Sequence, residues 1–283
     1  MNINICGVED QRFHRPLKLI ADLFFEESVV TFQSAENSDA LQVNISIKME
    51  NNHCTVTGFL VKETETITGT KEKSLEGYES EKEQLKQVKN TVLHVFLSLL
   101  QDYTSIVQKW GILTGVRPVK LLHTKLQNGE RKEEVHRQLK EEYLITDEKI
   151  ELMQEIVDRQ LSVVPDLYDL GNEVSIYIGI PFCPTKCAYC TFPAYAINGK
   201  QGKVDSFLGG LHHEIEVVGK WLKENDVKIT TVYYGGGTPT SITAEEMDML
   251  YEQMYQSFPH MERVREVTVE AGRPDTITPE KLE

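Results

Sequence analysis

Hydrophobic residues alternate one for one with polar residues from Leu41 through Val43, Ile45 and Ile47 to Met49, the period of a strand with one face in a core. Asn51-Asn52 supplies a turn, and a second strand from Cys54 to Val61 completes a predicted hairpin. Ile3 and Ile5 alternate in a shorter strand, and Thr64 to Thr70 reads as a further one. Over Pro16 to Phe25 the period changes, with Leu17, Ile20, Leu23 and Phe24 sharing one helical face. A longer stripe, Leu85, Val88, Val92, Val95, Phe96, Leu99 and Leu100, follows Ser80 and Glu83, whose spacing is that of a reciprocal helix cap. Pro118 fits the first turn of another helix, with Asn128-Gly129 as its stop. Two more helices are predicted over Lys132 to Tyr143 and Asp147 to Leu161, the latter capped by Thr146 or Asp147.

Pro165 and Gly171 mark a linker, after which strands and helices take turns. Val174 to Ile180 is a strand, Val204 to Lys223 a helix, and Thr230 to Tyr234 a strand running into Gly235-Gly236-Gly237-Thr238-Pro239. Thr243 and Glu246 cap a helix to about Phe258, Val264 to Glu270 is a third strand, and Thr278-Pro279-Glu280 begins a helix. Strands joined by crossover helices imply a parallel sheet. The pattern therefore predicts an α/β chain: residues 1–165 as an α+β module of unstated role, and 166–283 as the first three units of a partial (β/α) barrel. A complete barrel takes roughly 200 to 400 residues. The expectation is a fragment that stops partway through one.

Composition narrows the function classes. A net charge of −14 argues against a general nucleic-acid binder. No apolar run approaches the ~20 residues of a membrane helix; the longest, Val92 to Leu100, contains His94 and Ser98. The first residues carry no basic region followed by an apolar one, so no signal peptide is expected. Five cysteines, three of them clustered, do not form a disulfide framework and fit a reducing cytoplasm.

The clustered cysteines are Cys183, Cys187 and Cys190, spaced C-x3-C-x2-C. Three thiolates from one loop suit a soft metal centre. An iron–sulfur cube normally takes four protein thiolates, so three leave one iron open for chemistry. A structural zinc site would need a fourth ligand from His212, His213 or farther away, and zinc spacings usually pair two C-x2-C units. His212-His213-Glu214 lacks the spacing of a zinc protease and reads as a solvated helix face. A glycine run alone is commonly a turn; this one gains force from following a strand, where parallel sheets bind ligands. Ile176, Ile178 and Ile180 share one strand face, which turns Tyr177 to the other. Arg117 reads as a surface residue, and Cys6 and Cys54 as small buried hydrophobes.

With its neighbours, the trio resembles the radical S-adenosylmethionine superfamily. Tyr177-Ile-Gly-Ile-Pro-Phe-Cys183, Tyr233-Tyr-Gly-Gly-Gly-Thr-Pro-Thr240 and Thr268-Val-Glu-Ala-Gly272 resemble its oxygen-independent coproporphyrinogen III oxidase-like family over about 174 to 283. Trp110-Gly-Ile-Leu-Thr-Gly-Val-Arg-Pro118 resembles the long-N-terminus, HemZ-like coproporphyrinogen dehydrogenase branch. The resemblance implies a [4Fe-4S] cluster on Cys183, Cys187 and Cys190, with S-adenosylmethionine on the fourth iron. It further implies S-adenosylmethionine contacts from Tyr177, Tyr189, Gly236, Gly237, Thr238 and Glu270, with Tyr189 beside the adenine. The implied reaction is oxidative decarboxylation of coproporphyrinogen III to protoporphyrinogen IX in heme biosynthesis, with flavodoxin or ferredoxin as electron donor. The same family includes heme carriers, and radical chemistry on another substrate is a further alternative. Two positions depart from the family pattern: Phe192 stands where many members have a fourth cysteine, and Gly179 where a histidine often precedes Ile-Pro-Phe.

Overall fold

The structure, a computed structural model, describes residues 1–32, 40–62, 65–115, 117–192, 194–197 and 201–282. It divides into two compact units, Met1–Tyr168 and Asp169–Glu283. The chain is mixed helix and strand throughout.

Unit 1 carries strands β1 (Asn2–Cys6), β2 (Val29–Thr31), β3 (Leu41–Glu50), β4 (His53–Lys62) and β5 (Glu65–Ser74) in the order β2-β1-β3-β4-β5. The first three are parallel neighbours; β3, β4 and β5 form an antiparallel meander. The predicted hairpin turns on Asn51 and Asn52, both at positive φ (47° and 59°), the left-handed pair that a tight hairpin needs. Strand β5 runs past the predicted Thr70, because its ladder with β4 continues to the pair His53↔Ser74. Its Thr, Lys and Glu side chains give no apolar alternation that would announce this length, and Thr64, its predicted start, lies outside the described residues.

Five helices complete the unit: α1 (Gln11–Ala21), α2 (Glu81–Thr104), α3 (Pro118–Gln127), α4 (Lys132–Glu141) and α5 (Asp147–Val163). Helix α1 begins five residues before Pro16, because the Asp10 carboxylate caps it by accepting from the Arg12 amide at 2.9 Å. Pro16 therefore lies inside the helix, and the segment predicted as its end, Leu23 and Phe24, forms turns instead. Helix α2 opens on the predicted reciprocal cap of Ser80 and Glu83. Its stripe from Val88 to Leu100 is buried and joins Ile3, Val43, Val56 and Leu60 of the sheet in one core.

Unit 2 contains β6 (Glu173–Ile180), the short pair β7 (Phe182–Cys183) and β8 (Tyr195–Ala196), α6 (Gln201–Glu224), β9 (Lys228–Gly236), α7 (Ala244–Ser257) and β10 (Glu266–Val269). Strands β10, β9 and β6 form a parallel sheet in that order. Ile178, Ile180, Val232 and Tyr234 share a core with Val204, Leu208, Leu211 and Ile215 of α6 and Leu250 and Met254 of α7. The opposite sheet face presents Tyr177 and Tyr233, which are 61% and 38% exposed. The helix expected from Thr278 is a single 3-10 turn over Pro279–Lys281 among the described residues. No helix among the described residues is long and apolar enough to cross a membrane.

Candidate functional site

Parallel pairing puts the three strand ends of unit 2 at one edge. Ile180 is level with Gly236, and Val269 with Tyr234. Strand β9, with the glycine run, lies between the strand that leads to the cysteines and the strand that leads to Glu270. The Glu270 amide continues the ladder by donating to the Tyr234 carbonyl at 2.9 Å.

The glycine run and the cysteine loop are tied by backbone. Gly237 N–H donates to Ile180 O and Thr238 N–H to Phe182 O, both at 2.8 Å. A Cβ on Gly237 would stand 2.7 Å from Phe182 O and 3.0 Å from Cys183 Sγ, so a side chain there would push the loop away. Gly236 has φ of +114°, and a Cβ there would meet Ile180 O at 2.9 Å. The far side of the loop is held by Tyr195 N–H to Pro181 O and Ile197 N–H to Cys183 O, at 2.8 and 2.9 Å.

Cys183 is buried, while Cys187 and Cys190 are half-buried. The buried Thr238 hydroxyl donates to Cys183 Sγ at 3.4 Å, and Cys190 N–H turns back to Cys187 O at 3.2 Å. Among the described residues, no three His, Cys, Asp or Glu side chains converge on a single-ion site. A cube offers each thiolate its own iron, so its ligands stand farther apart than those around one ion. Three sulfurs on one short loop, with Cys183 Sγ packed against Gly237, are the donor set of a soft metal centre and fit an iron–sulfur cluster.

Tyr177 and Tyr233 stack across β6 and β9 at 5.8 Å with an interplanar angle of 11°. Gly235 lies beneath them: a Cβ there would be 2.7 Å from the Tyr177 hydroxyl. Desolvation, then the Glu270 carboxylate and Tyr233, push the Tyr177 phenol above its ordinary value. Tyr189 behaves differently. It is 87% exposed, and the hydrogen bond and charge of Cys187 raise its phenol above the ordinary value. The structure thus brings Gly236, Gly237, Thr238, Glu270 and the cysteine loop to one edge, sets Tyr177 over Gly235 on the open sheet face, and leaves Tyr189 exposed on the loop.

Arg273 is a site residue that sequence reasoning missed. Its Nη1 donates to Thr185 O and Thr185 Oγ1, both at 3.3 Å, and reaches Cys187 Sγ at 3.8 Å. Asp275 holds the other side of the guanidinium with two bonds of 3.1 Å. The contact crosses 86 residues, so no spacing rule reports it. The available signal was position: Arg273 follows Glu270 by three residues at the same strand end.

Over its whole length the chain is 60% identical to the oxygen-independent coproporphyrinogen-III oxidase-like protein HemZ of Bacillus subtilis, and it spans 56% of that protein's length. It is 36% identical over 108 residues, 38% of the chain and 27% of the relative, to the heme chaperone HemW of the same organism. An oxygen-independent coproporphyrinogen III oxidase of Pseudomonas aeruginosa matches at 33% over 95 residues, 34% of the chain and 20% of the relative. No family model and no solved structure matches.

Proposed function

The chain belongs to the oxygen-independent coproporphyrinogen-III oxidase-like family, and from that premise we propose that unit 2 is the first part of a (β/α) barrel carrying a radical S-adenosylmethionine centre for a tetrapyrrole substrate. The reaction proposed for the whole protein is oxidative decarboxylation of coproporphyrinogen III to protoporphyrinogen IX, fed by a small electron-transfer protein such as flavodoxin or ferredoxin. One observation supports this most: three adjacent parallel strand ends deliver the cysteine loop, the glycine run and Glu270 to one edge.

When bound, a [4Fe-4S] cluster with S-adenosylmethionine supplies one-electron cleavage of the sulfonium and, from it, hydrogen abstraction at a propionate side chain. The roles of this chain's residues follow from their places. Cys183, Cys187 and Cys190 supply the thiolates. The Thr238 hydroxyl and the Arg273 guanidinium donate toward two of those sulfurs, the outer-shell contacts that orient ligands and tune a cluster. Gly236 and Gly237 let the strand end pack against the cysteine loop with no side chain between them, which holds Cys183 beside the strand end. Glu270 accepts from an ammonium or a ribose hydroxyl, and the Tyr177 hydroxyl stands over Gly235 on the strand between them. Tyr189 has the exposure to close over an adenine. The open sheet face with Tyr177 and Tyr233 is the interior of the proposed barrel.

The decisive assay supplies reconstituted protein with dithionite, S-adenosylmethionine and coproporphyrinogen. Methionine, 5′-deoxyadenosine and carbon dioxide are expected, and Glu270→Gln is expected to weaken S-adenosylmethionine binding about tenfold while iron content stays level. Loss of iron in that variant would assign Glu270 to the fold instead. The match to a heme chaperone favours a second reading, a heme carrier; tight heme binding with no turnover would select it.

A further inference from the structure

Unit 1 contains an open groove of about 1020 Å³, at the upper end of the range for small-molecule sites. It lies among α1, α2, α3 and the loop before α3. Five cations line it: Arg15 from α1, Lys86 and Lys89 from α2, Arg117 at the start of α3, and Lys120 within it. Among the described residues no carboxylate lines it, in a chain whose net charge is −14. Among the described residues none of the five forms an ion pair, although ion pairs are common elsewhere in the unit. Solvated lysines on a helix are ordinary. Five cations from three helices facing one concave wall, with no anion among them, form a concentrated positive field.

The floor is apolar. Leu93 and Ile112 are buried there, Tyr143 lies beside them with its phenol pushed up by burial, and Leu19 is 39% exposed at the rim. An inorganic anion would leave that floor unused, and a single-headed fatty acid would leave most of the cations unpaired. The complementary ligand has a broad apolar body and several anionic arms.

We propose that this groove is a second binding site, for a tetrapyrrole bearing several carboxylates. The groove chemistry selects an apolar polycarboxylate; the choice of a tetrapyrrole within that class rests on the function proposed above. Each carboxylate arm would pair with a cation of the wall, Arg15 and Arg117 by two-pronged contacts and the lysines as point charges.

The test titrates the intact chain, without iron or reductant, with coproporphyrin III and follows porphyrin fluorescence. One equivalent is expected to bind, more weakly at higher salt, while the tetramethyl ester, which has the ring and no charges, fails to compete. Lys89→Glu with Lys120→Glu should weaken binding by about tenfold or more, since both side chains project from helix surfaces and their exchange leaves the core intact. Arg117→Ala provides a second, milder variant, with helix content measured alongside. Cys187→Ala should bind as the parent does. Binding that survives both groove variants, binding lost in Cys187→Ala, or displacement by ATP as effective as by the porphyrin would overturn the proposal. S-adenosylmethionine cleavage by the reconstituted chain is scored separately, so failure of the groove and failure of the radical centre give different results.

Discussion

Both units stack helices on a sheet, but they use their side chains in opposite ways. Unit 1 buries Ile3, Ile5, Leu17, Phe96, Leu100, Leu139 and Ile145 almost completely, and unit 2 does the same with Ile180, Leu222, Ile242, Leu250 and Met254. Unit 2 has a smaller core and leaves Tyr177, Tyr189, Phe192, Tyr195 and Trp221 more than half exposed. The cysteines follow the same division. Cys54 is fully buried on β4 and its thiol is pushed up by desolvation, an inert packing residue. Cys187 and Cys190 sit half-buried in a loop that ends no core helix. Burial that stabilises a fold and exposure that admits a ligand compete for the same residue types, and the two units settle that competition differently.

The sharpest way to break this contrast is at Gly237. Gly237→Ala places a methyl 2.7 Å from the Phe182 carbonyl and 3.0 Å from Cys183 Sγ, so iron retained after anaerobic reconstitution should fall to near background, while the unfolding of unit 1 stays unchanged. Full iron retention would show that the loop tolerates displacement. The converse variant, Phe96→Ala, should cost unit 1 about 3–5 kcal/mol in chemical denaturation without reducing iron per folded chain. A similar loss of iron would mean that the units do not act separately.

Smaller effects sharpen the same contrast. Arg273→Ala removes the contacts to Thr185 and Cys187, so a reconstituted cluster should lose iron to a chelator several-fold faster. Arg273→Lys should restore part of the difference, because an ammonium reaches one partner where the guanidinium holds two. Last, burial lowers the His94 pKa below its ordinary 6.5, with the Glu142 carbonyl bond acting in the other direction. The unfolded chain then binds more protons than the folded one. Stability from His94 is present above pH 6.5 and is lost as pH falls through the lowered folded value. Denaturation midpoints for unit 1 at pH 7.5 and 5.5 should differ more in the parent than in His94→Gln, and equal differences would contradict the assignment.

Much of this was legible along the chain. The strict alternation of β3, the paired asparagines of its hairpin and the Ser80–Glu83 cap are local signals, and each appears where the sequence places it. The ends of elements were less so. Asp10 starts α1 ahead of Pro16, because a carboxylate that satisfies free amides outweighs a proline's preference for the first turn. Strand β5 owes its length to pairing with β4 rather than to its own pattern. In unit 2, the motifs singled out Gly236, Gly237 and Glu270, and the structure places all three at the ends of two neighbouring strands. Arg273, the Thr238–Cys183 contact and the unit 1 groove stayed hidden, because each depends on residues far apart in sequence meeting through tertiary packing.

The central claim is that the three-cysteine loop holds a cluster with one open iron. The most direct measurement is iron and sulfide content with an electron paramagnetic resonance spectrum of the anaerobically reconstituted, reduced chain, recorded before and after S-adenosylmethionine is added. About four irons per chain, and a spectrum that shifts on addition, are predicted. Zinc alone, no metal, or a cluster spectrum indifferent to S-adenosylmethionine would contradict the account.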